Sequence, residues 1–225
     1  MSKALFITAT GTDVGKTYVT ALIIKKLRGN GINAGYYKAA LSGAETVADS
    51  DAGYVNKIAG INQSENTLLS YMYKTAVSPH LAAKIEGNPV TIEKIKADFA
   101  EVTKKYSFVT VEGAGGIVCP IRYDKTEHIF LEDIIKTLDL DTIIVADAGL
   151  GTINSVVTTV EYMKSRKINV KGVILNSWTD GIMQEDNAKM ITEITGLEIL
   201  TVVRRGDTDL DIDPQKLAEL YKSVT

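Results

Sequence analysis

A single α/β domain is the architecture that this sequence predicts, with a mostly parallel sheet and helices on both faces. Short apolar runs of strand character alternate along the chain with longer segments of helical periodicity. This alternation is typical of parallel sheets, because each crossover between parallel strands is made by a helix. No repeat, low-complexity stretch or linker rich in proline and glycine divides the 225 residues, so we expect one domain over residues 1–225.

The composition predicts a soluble globular protein. Hydrophobic residues make up 45% of the chain and charged residues 24%, which is ordinary for such proteins. The formal net charge is −3 and no block of like charge occurs, so we expect neither a nucleic-acid partner nor a membrane partner. Cys119 is the only cysteine, which leaves no intramolecular disulfide. No signal peptide precedes the first strand and no apolar run could span a bilayer, so we expect a cytoplasmic protein.

The segment from Ala4 to Leu22 carries the strongest motif. A short apolar strand leads into a loop with glycines at 11 and 15, and Lys16-Thr17 then opens a helical periodicity. Together these features favour a phosphate-binding loop over an ordinary glycine turn, although its first glycine stands one residue later than in the common pattern. The loop N–H groups and the helix N-terminus bind phosphate oxygens in such loops. We expect Lys16 to reach the β- and γ-phosphates and Thr17 to ligate Mg²⁺.

Further strands and helices alternate after the first helix. A strand at 33–38 is expected to end at Lys38, and residues 61–77 are expected to form a polar, irregular connection. Pro79 lies in the first turn of a predicted helix, and Thr91 and Asp213 are expected to cap helices that end near residues 104 and 222. The remaining predicted helices are 49–59, 131–138, 152–165 and 184–195, and the remaining predicted strands are 108–112, 142–146, 170–175 and 198–203.

Residues at strand ends are the candidates for function, because ligands bind at the carboxyl ends of parallel strands. Glu112 ends an apolar strand and precedes Gly113-Ala-Gly-Gly116, which favours a Mg²⁺ ligand over a carboxylate that caps its own glycine turn. Asp51 begins a helix, where a metal ligand and a helix cap are equally consistent with the sequence. Lys38 is either a cation that neutralises a phosphate or another anion, or a solvated lysine. Gly149-Leu-Gly-Thr152 leads into a predicted helix and could offer its N–H groups to an anion. Judged by this segment alone, a plain turn between strand and helix is favoured over an anion site.

The segment Asn176-Ser-Trp-Thr-Asp180 follows another predicted strand. A guanine-specific site has Asn-Lys-x-Asp at such a strand end, and this segment lacks the lysine and has different spacing. We therefore expect adenine, with Asn176 at an edge of the base and Trp178 in the wall. His80 and Cys119 belong to no recognisable acid–base constellation, so we expect His80 to be structural or to line the site, and Cys119 to be a small buried apolar group.

Several of these segments together resemble one family, dethiobiotin synthetase of biotin biosynthesis. They occur in order along nearly the whole chain, and Val-Glu-Gly-Ala-Gly-Gly combined with an earlier Lys-x-x-x-Ser-Gly is far more specific than a phosphate loop alone. The matching segments are Thr10-Gly-Thr-Asp-Val-Gly-Lys-Thr17, Tyr37-Lys-Ala-Ala-Leu-Ser-Gly43, Ser50-Asp-Ala52, Ser78-Pro-His80, Val111-Glu-Gly-Ala-Gly-Gly116, Gly149-Leu-Gly-Thr-Ile-Asn154 and the strand end at Asn176.

The resemblance implies an ATP- and Mg²⁺-dependent ligase that uses CO₂ to close a ureido ring on 7,8-diaminononanoate. The implied reaction passes through a carbamate and a carbamic-phosphoric anhydride and releases ADP and phosphate. Lys16 and Lys38 would be catalytic, on the phosphates and near the carbamate, and Thr17, Asp51 and Glu112 would surround the metal. The implied nucleotide-binding residues are Thr12, Asp13, Val14, Gly15, Lys16, Thr17, Tyr18, Glu112, Gly113, Ala114, Gly115 and Asn176, and the implied substrate-binding residues are Lys38, Ser42, Gly151, Thr152, Ile153 and Asn154.

The resemblance also implies a homodimer with the substrate site at the subunit interface. In that arrangement Gly151 to Asn154 of one subunit would help to bind the substrate carboxylate beside the phosphate site of the other.

Two alternative functions are consistent with a phosphate-loop domain. A dimeric partition or septum-positioning ATPase switch of this fold would carry an additional lysine early in the loop, and Gly11 occupies that place here. Such a switch would bind a membrane through a basic amphipathic helix at its C-terminus, and the sequence shows no such helix, which counts against a membrane partner. A metallochaperone or a cobyrinate-type amide ligase is disfavoured, because one cysteine makes no metal pair and the chain has no room for a separate glutaminase domain.

Overall fold

Residues 1–224 are described by the computed structural model of this protein. Over these residues the order of elements is β1 (Ser2–Ala9), α1 (Lys16–Gly29), β2 (Ala34–Ser42), α2 (Asp51–Ile58), a short 3₁₀ turn (Glu65–Thr67), β3 (Leu69–Tyr73), α3 (Pro79–Ile85), α4 (Ile92–Lys105), β4 (Phe108–Glu112), β5 (Pro120–Tyr123), β6 (His128–Phe130), α5 (Leu131–Thr137), β7 (Thr142–Asp147), α6 (Thr152–Ser165), β8 (Val170–Asn176), α7 (Ile182–Thr195), β9 (Ile199–Val202), α8 (Pro214–Glu219) and β10 (Lys222–Val224).

The main sheet has the order β3-β2-β4-β1-β7-β8-β9, with every neighbouring pair parallel. The short β10 adds to the start of β1 as an antiparallel strand, with Ser2 opposite Val224. The β5–β6 hairpin forms a separate two-stranded sheet. The predicted fold class, a mostly parallel α/β sheet, is confirmed.

Helices cover both faces of this sheet, and the alternation along β1 explains why. Leu5 and Ile7 point into a core formed with α1, α2 and α8, whereas Ala4 and Phe6 point into a second core formed with α3 to α7. Each fully buried leucine, isoleucine or phenylalanine stabilises the fold by roughly 1.5–3 kcal/mol relative to exposure. With both faces buried, the strand is continuously apolar from Ala4 to Ile7, as is typical of parallel sheets.

The connection predicted to be irregular between residues 61 and 77 contains β3, which pairs in parallel with β2. The prediction failed because Tyr71 and Tyr73 bury their rings under α3 and α4, a long-range contact that a polar local sequence does not reveal. Pairing with β3 also prolongs β2 to Ser42, so Lys38 lies inside the strand and not at its end.

The C-terminal segment also differs from the prediction. Helix α8 ends at Glu219, short of residue 222, because the chain then turns to pair with β1. Two capping predictions are confirmed: Thr91 accepts a hydrogen bond from the Lys94 N–H, and Asp213 accepts from the N–H groups of the first turn of α8. Within residues 1–224, no helix combines the length and apolar character needed to cross a membrane.

Candidate active site

The loop between β1 and α1 wraps around the N-terminus of α1. Gly15 precedes the helix in a left-handed conformation, with φ of 84° and ψ of 22°. A Cβ atom at this position would lie 2.0 Å from Asn176 Nδ2, so glycine is required both by the backbone angle and by the close approach of the side chain. Among residues 1–224 no side chain caps α1, so its first N–H groups are available to bind an anion.

Three side chains meet at the carboxylate of Glu112, directly behind this loop. Its Oε1 atom accepts hydrogen bonds from Lys16 Nζ at 3.0 Å, Lys38 Nζ at 2.8 Å and the Thr17 hydroxyl at 2.9 Å. The β2–β4 register places Lys38 beside Glu112. Lys16 and Thr17 lie in the first turn of α1 and reach the same carboxylate from that helix. Glu112 is 1% exposed, Lys38 3% and Lys16 8%. The site is therefore a desolvated ionic cluster.

Asp51 completes this cluster from α2. Its Oδ2 atom lies 2.5 Å from Lys38 Nζ, while about half of its side chain remains exposed. The sequence left a metal ligand and a helix cap equally open for Asp51, but the cap is Ser50, whose hydroxyl accepts from the Gly53 N–H. Asp51 is therefore free to face the cluster as the first residue of the helix.

Charge pairing decides the ionisation of the buried groups. Burial opposes the charged form of Glu112, but the ammonium groups of Lys16 and Lys38 outweigh it and lower the pKa of Glu112 to about 2. Burial lowers the pKa of Lys16, which has only one close carboxylate. Burial also opposes the charged form of Lys38, but Glu112 and Asp51 together raise the pKa of Lys38 above its ordinary value. At neutral pH the cluster holds an ionised carboxylate against a firmly protonated Lys38.

A cleft of about 1030 Å³ opens above the cluster. This volume lies at the upper end of the roughly 300–1,000 Å³ that ligand pockets span, which is room for a nucleotide with a second small molecule. Of the residues proposed for nucleotide, metal or substrate, those lining the cleft are Thr12, Asp13, Gly15, Lys16, Thr17, Tyr18, Lys38, Ser42, Asp51, Ala114 and Gly115.

The other proposed residues lie behind the cleft or away from it. Asn176 donates from Nδ2 to the Val14 carbonyl at 3.0 Å, so both support the back of the phosphate loop. Gly113 packs against Phe6 and Leu131. Residues 151–154 form the start of α6 and are not among the lining residues described in this chain.

Several lining residues were not predicted to bind nucleotide, metal or substrate. Ala76, Val77, Ser78 and Pro79 line the cleft, although the sequence assigned Ser78-Pro79 only to a helix start and to a segment matching the family. Gly11 belongs to the predicted phosphate-binding loop and Cys119 was predicted to be apolar, and the other lining residues are Leu41, Gly43, Asp49, Ser50 and Tyr54. They come from segments far apart in the chain, and no local pattern marks them as neighbours.

The expectations for the remaining single residues have different outcomes. Cys119 is buried in the apolar core as predicted and in addition lines the cleft, and burial raises the pKa of its thiol to about 11. His80 is half-buried, and its Nδ1 finds no hydrogen-bond partner among the described residues. Trp178 is partly buried against the core and donates from its indole N–H to Asp180.

The donor set beside the loop suits a divalent cation of the Mg²⁺ type. The carboxylates of Glu112 and Asp51 and the hydroxyl of Thr17, all of them oxygen donors, lie together at this cluster. Mg²⁺ is held by one or two carboxylates together with substrate phosphates and water, so no larger cage is needed. Within residues 1–224, no group of three or more histidine, cysteine or acidic residues is arranged to hold a metal.

The parallel sheet, the glycine loop and the lysine at the start of α1 define a phosphate-loop NTPase. Solved structures agree on the fold. The MinD cell division protein of Aquifex aeolicus matches with a TM-score of 0.54 at 15% identity, covering 97% of this chain and 85% of that one. A ParA family ATPase of Chlorobium tepidum matches with a TM-score of 0.56 at 14% identity, covering 98% and 89%. At such identities the likeness shows the fold alone.

Sequence comparison identifies the family within that class. The profile of a family described as an AAA domain matches residues 3–208. ATP-dependent dethiobiotin synthetase BioD of Brachyspira hyodysenteriae is 55% identical over 212 residues, which cover 94% of this chain and 96% of that protein. The enzyme of the same name from Clostridium botulinum is 47% identical over the full length of both chains.

This chain belongs to the dethiobiotin synthetase family. It is accordingly an ATP-dependent ligase of biotin synthesis, as the resemblance of its motifs implied. The partition ATPase alternative retains only the shared fold in its favour.

Proposed function

We propose that this chain uses CO₂, ATP and Mg²⁺ to close a ureido ring on 7,8-diaminononanoate, giving dethiobiotin, ADP and phosphate. The main structural support for this proposal is the position of two lysine side chains. The ammonium groups of Lys16 and Lys38 converge on one oxygen of Glu112 beneath a single cleft. Two cations held this close are suited to two adjacent anions, the end of a triphosphate and the carboxylate of a carbamate.

In the first step, one neutral amine of the substrate attacks the carbon of CO₂ and loses a proton to solvent, which leaves a carbamate anion. Lys38 and Ser42 both line the cleft, and in this proposal they would bind the carbamate oxygens. The Ser42 hydroxyl donates to the Val77 carbonyl at 2.6 Å, so its single O–H would turn from Val77 to the carbamate when the carbamate binds. An ammonium group favours the carbamate over the free amine, because only the carbamate carries negative charge.

In the second step, a carbamate oxygen attacks the γ-phosphorus of ATP and ADP departs. Phosphoryl transfer depends mainly on positioning and on charge stabilisation. Lys16 and the N–H groups at the start of α1 hold the phosphate oxygens, and Thr17, Asp51 and Glu112 would hold Mg²⁺. The metal ion, when bound, neutralises the charge of the phosphates. None of these steps demands a strong protein base.

In the third step, the second amine of the same molecule attacks the carbonyl carbon of the anhydride, phosphate leaves, and the attacking nitrogen loses a proton to solvent. Because both amines belong to one bound molecule, this attack is intramolecular, and positioning alone lowers the barrier substantially. The chain needs to hold the substrate extended along the cleft and to keep water from the anhydride.

Two further parts of the proposal concern the nucleotide base and the partner subunit. Asn176 would bind an edge of adenine, after releasing or sharing its bond to the Val14 carbonyl. The start of α6, at 151–154, would bind the substrate carboxylate across a homodimer interface. Mixed dimers test the second point: an inactive Lys16→Ala chain and an inactive Thr152→Asp chain should regain activity on mixing if a site is shared, and should not if each site is built within one chain.

Phosphate release tests the proposed reaction. Purified protein with ATP, Mg²⁺ and bicarbonate should release phosphate only when 7,8-diaminononanoate is present. Turnover that needs no diamine and is stimulated by DNA or lipid vesicles would contradict the proposal and would favour the ATPase switch.

A further inference from the structure

Two buried polar atoms lie unpaired at the base of the cluster. Glu112 Oε2 has no hydrogen-bond partner among the described residues, although three donors converge on Oε1 of the same carboxylate. The hydroxyl of Tyr36 is also buried and finds no partner within residues 1–224. Unpaired buried groups are uncommon and costly, so two at one place call for an explanation.

The strand register brings these two side chains to the same face of the sheet. On β2, Tyr36 and Lys38 are two residues apart, and their partners on β4 are Thr110 and Glu112. Side chains at this spacing point to the same face, so Tyr36 lies diagonally across from Glu112. Tyr37 points to the opposite face, where its hydroxyl bonds to Ser70 and to the Ile95 carbonyl.

The Tyr36 hydroxyl is chemically matched to a carboxylate oxygen. Burial, together with the nearby carboxylates of Glu112 and Asp51 and the close approach of the hydroxyl to the Glu112 side chain, holds the pKa of Tyr36 well above its ordinary value. The group therefore remains a neutral hydroxyl, which donates one hydrogen bond. Ionised Glu112 only accepts, and its Oε2 is the acceptor that lacks a donor.

We propose that Tyr36 is a positioning residue for Glu112 and that its hydroxyl donates to Oε2 when the metal and the nucleotide are bound. In the free protein, Lys16, Lys38 and Thr17 hold the carboxylate through Oε1. Loading the site draws those donors toward phosphates, carbamate and metal, and the carboxylate needs another anchor to keep Oε1 turned to the cleft. Tyr36 supplies that anchor from below. This inference rests on the metal role of Glu112 in the proposed function.

Mn²⁺ binding in the presence of ADP tests this role without catalysis, with free Mn²⁺ followed by electron paramagnetic resonance. Tyr36→Phe should weaken Mn²⁺ binding about tenfold, the worth of one hydrogen bond to a charged group. Its thermal midpoint without ligand should stay equal or rise, because the Tyr36 hydroxyl makes no well-aligned hydrogen bond within residues 1–224. Tyr37→Phe is the matched control: it loses two hydrogen bonds, so its midpoint should fall while Mn²⁺ binding stays that of the wild type.

Glu112→Gln separates this inference from the metal assignment on which it rests. If the wild type and Glu112→Gln bind Mn²⁺ with ADP equally, the metal role of Glu112 in the proposed function is wrong. If Glu112→Gln loses Mn²⁺ and Tyr36→Phe binds it like the wild type, the metal role stands and the positioning role of Tyr36 is overturned. A fall in the thermal midpoint of Tyr36→Phe with unchanged Mn²⁺ binding would likewise overturn it, since the hydroxyl would then be purely structural.

Discussion

Lys38 and Glu112 are cross-strand neighbours on β2 and β4, and Lys38 Nζ lies 2.8 Å from Glu112 Oε1 in the protein interior. The two strands adjoin in the sheet although more than seventy residues separate the two positions. Lys38 also contacts Asp51, so one ammonium group lies between the two carboxylates proposed to bind Mg²⁺. Lys38 thus neutralises the negative charge of Glu112 and Asp51, the charge that a bound Mg²⁺ ion would also neutralise.

Lys16→Ala should lower diamine-dependent phosphate release by about 100-fold or more, because it removes a cation from the phosphate site. The fold should persist, since Glu112 keeps Lys38 and Thr17 as partners. Steady-state phosphate release and a circular-dichroism melting curve measure the two effects. Lys26→Ala is the control, because Lys26 lies on the same helix but pairs with Asp209 away from the cleft. Equal activity of the two variants would contradict the phosphate role of Lys16.

Acid should destabilise the protein through Glu112. Its folded pKa is about 2, against an ordinary value of 4.5. A lowered pKa gives stability that is fully present above about pH 4.5 and is lost as the pH falls toward 2, in total about 3 kcal/mol. Glu112→Gln lacks this contribution, so the difference in unfolding free energy between wild type and variant should narrow by about 2 kcal/mol from pH 6 to pH 3. Urea unfolding at both pH values measures it, and a constant difference would show that Glu112 titrates normally.

Lys38→Met should reduce kcat much more than it reduces affinity for ATP. The substitution keeps a long side chain but removes the charge assigned to the carbamate, and Lys16 remains on the phosphates. We expect kcat to fall about 100-fold, in the range found when one electrostatic donor is removed from a transition state. Fluorescence titration with an ATP analogue gives the affinity and phosphate release gives kcat. Losses of equal size would instead assign Lys38 to the nucleotide.

Gly15→Ala should disrupt the phosphate loop. Alanine at a φ of 84° is strained by about 1–3 kcal/mol, and its Cβ would meet Asn176 Nδ2 at 2.0 Å. Both ATP affinity and thermal stability should fall. Gly29→Ala, at the other end of α1, meets no atom within 4 Å among the described residues, has no positive φ, and should stabilise the helix by about 0.5–1 kcal/mol. A Gly15→Ala protein that binds ATP like the Gly29→Ala control would contradict the account of the loop.

Local sequence patterns predicted the parts of the site that local structure builds. The strand, the loop and the helix around Lys16 follow one another directly, so their pattern contains the whole geometry. Glu112 was predictable in the same way, because an apolar strand followed by glycines marks a carboxyl end. These patterns sufficed for the fold class and for the strand, loop and helix that surround Lys16.

Other features of the site depend on contacts between segments far apart in the chain, which local sequence patterns do not reveal. The extension of β2 beyond Lys38 depends on pairing with β3, and the approach of Asn176 to Gly15 depends on the packing of β8 beside the loop. The position of Tyr36 beneath Glu112 follows from the β2–β4 register. A one-residue slip would turn Tyr36 to the other face of the sheet, and register is invisible in a short apolar segment.

Labelled bicarbonate provides the most direct test of the central claim, that one cleft joins ATP, CO₂ and a diamine. The protein would be incubated with ¹³C-bicarbonate, ATP, Mg²⁺ and 7,8-diaminononanoate, and the products followed by mass spectrometry and phosphate assay. We predict a ring product that carries one ¹³C atom in its carbonyl group, formed with one ADP and one phosphate. ATP hydrolysis without a labelled ring would contradict the account.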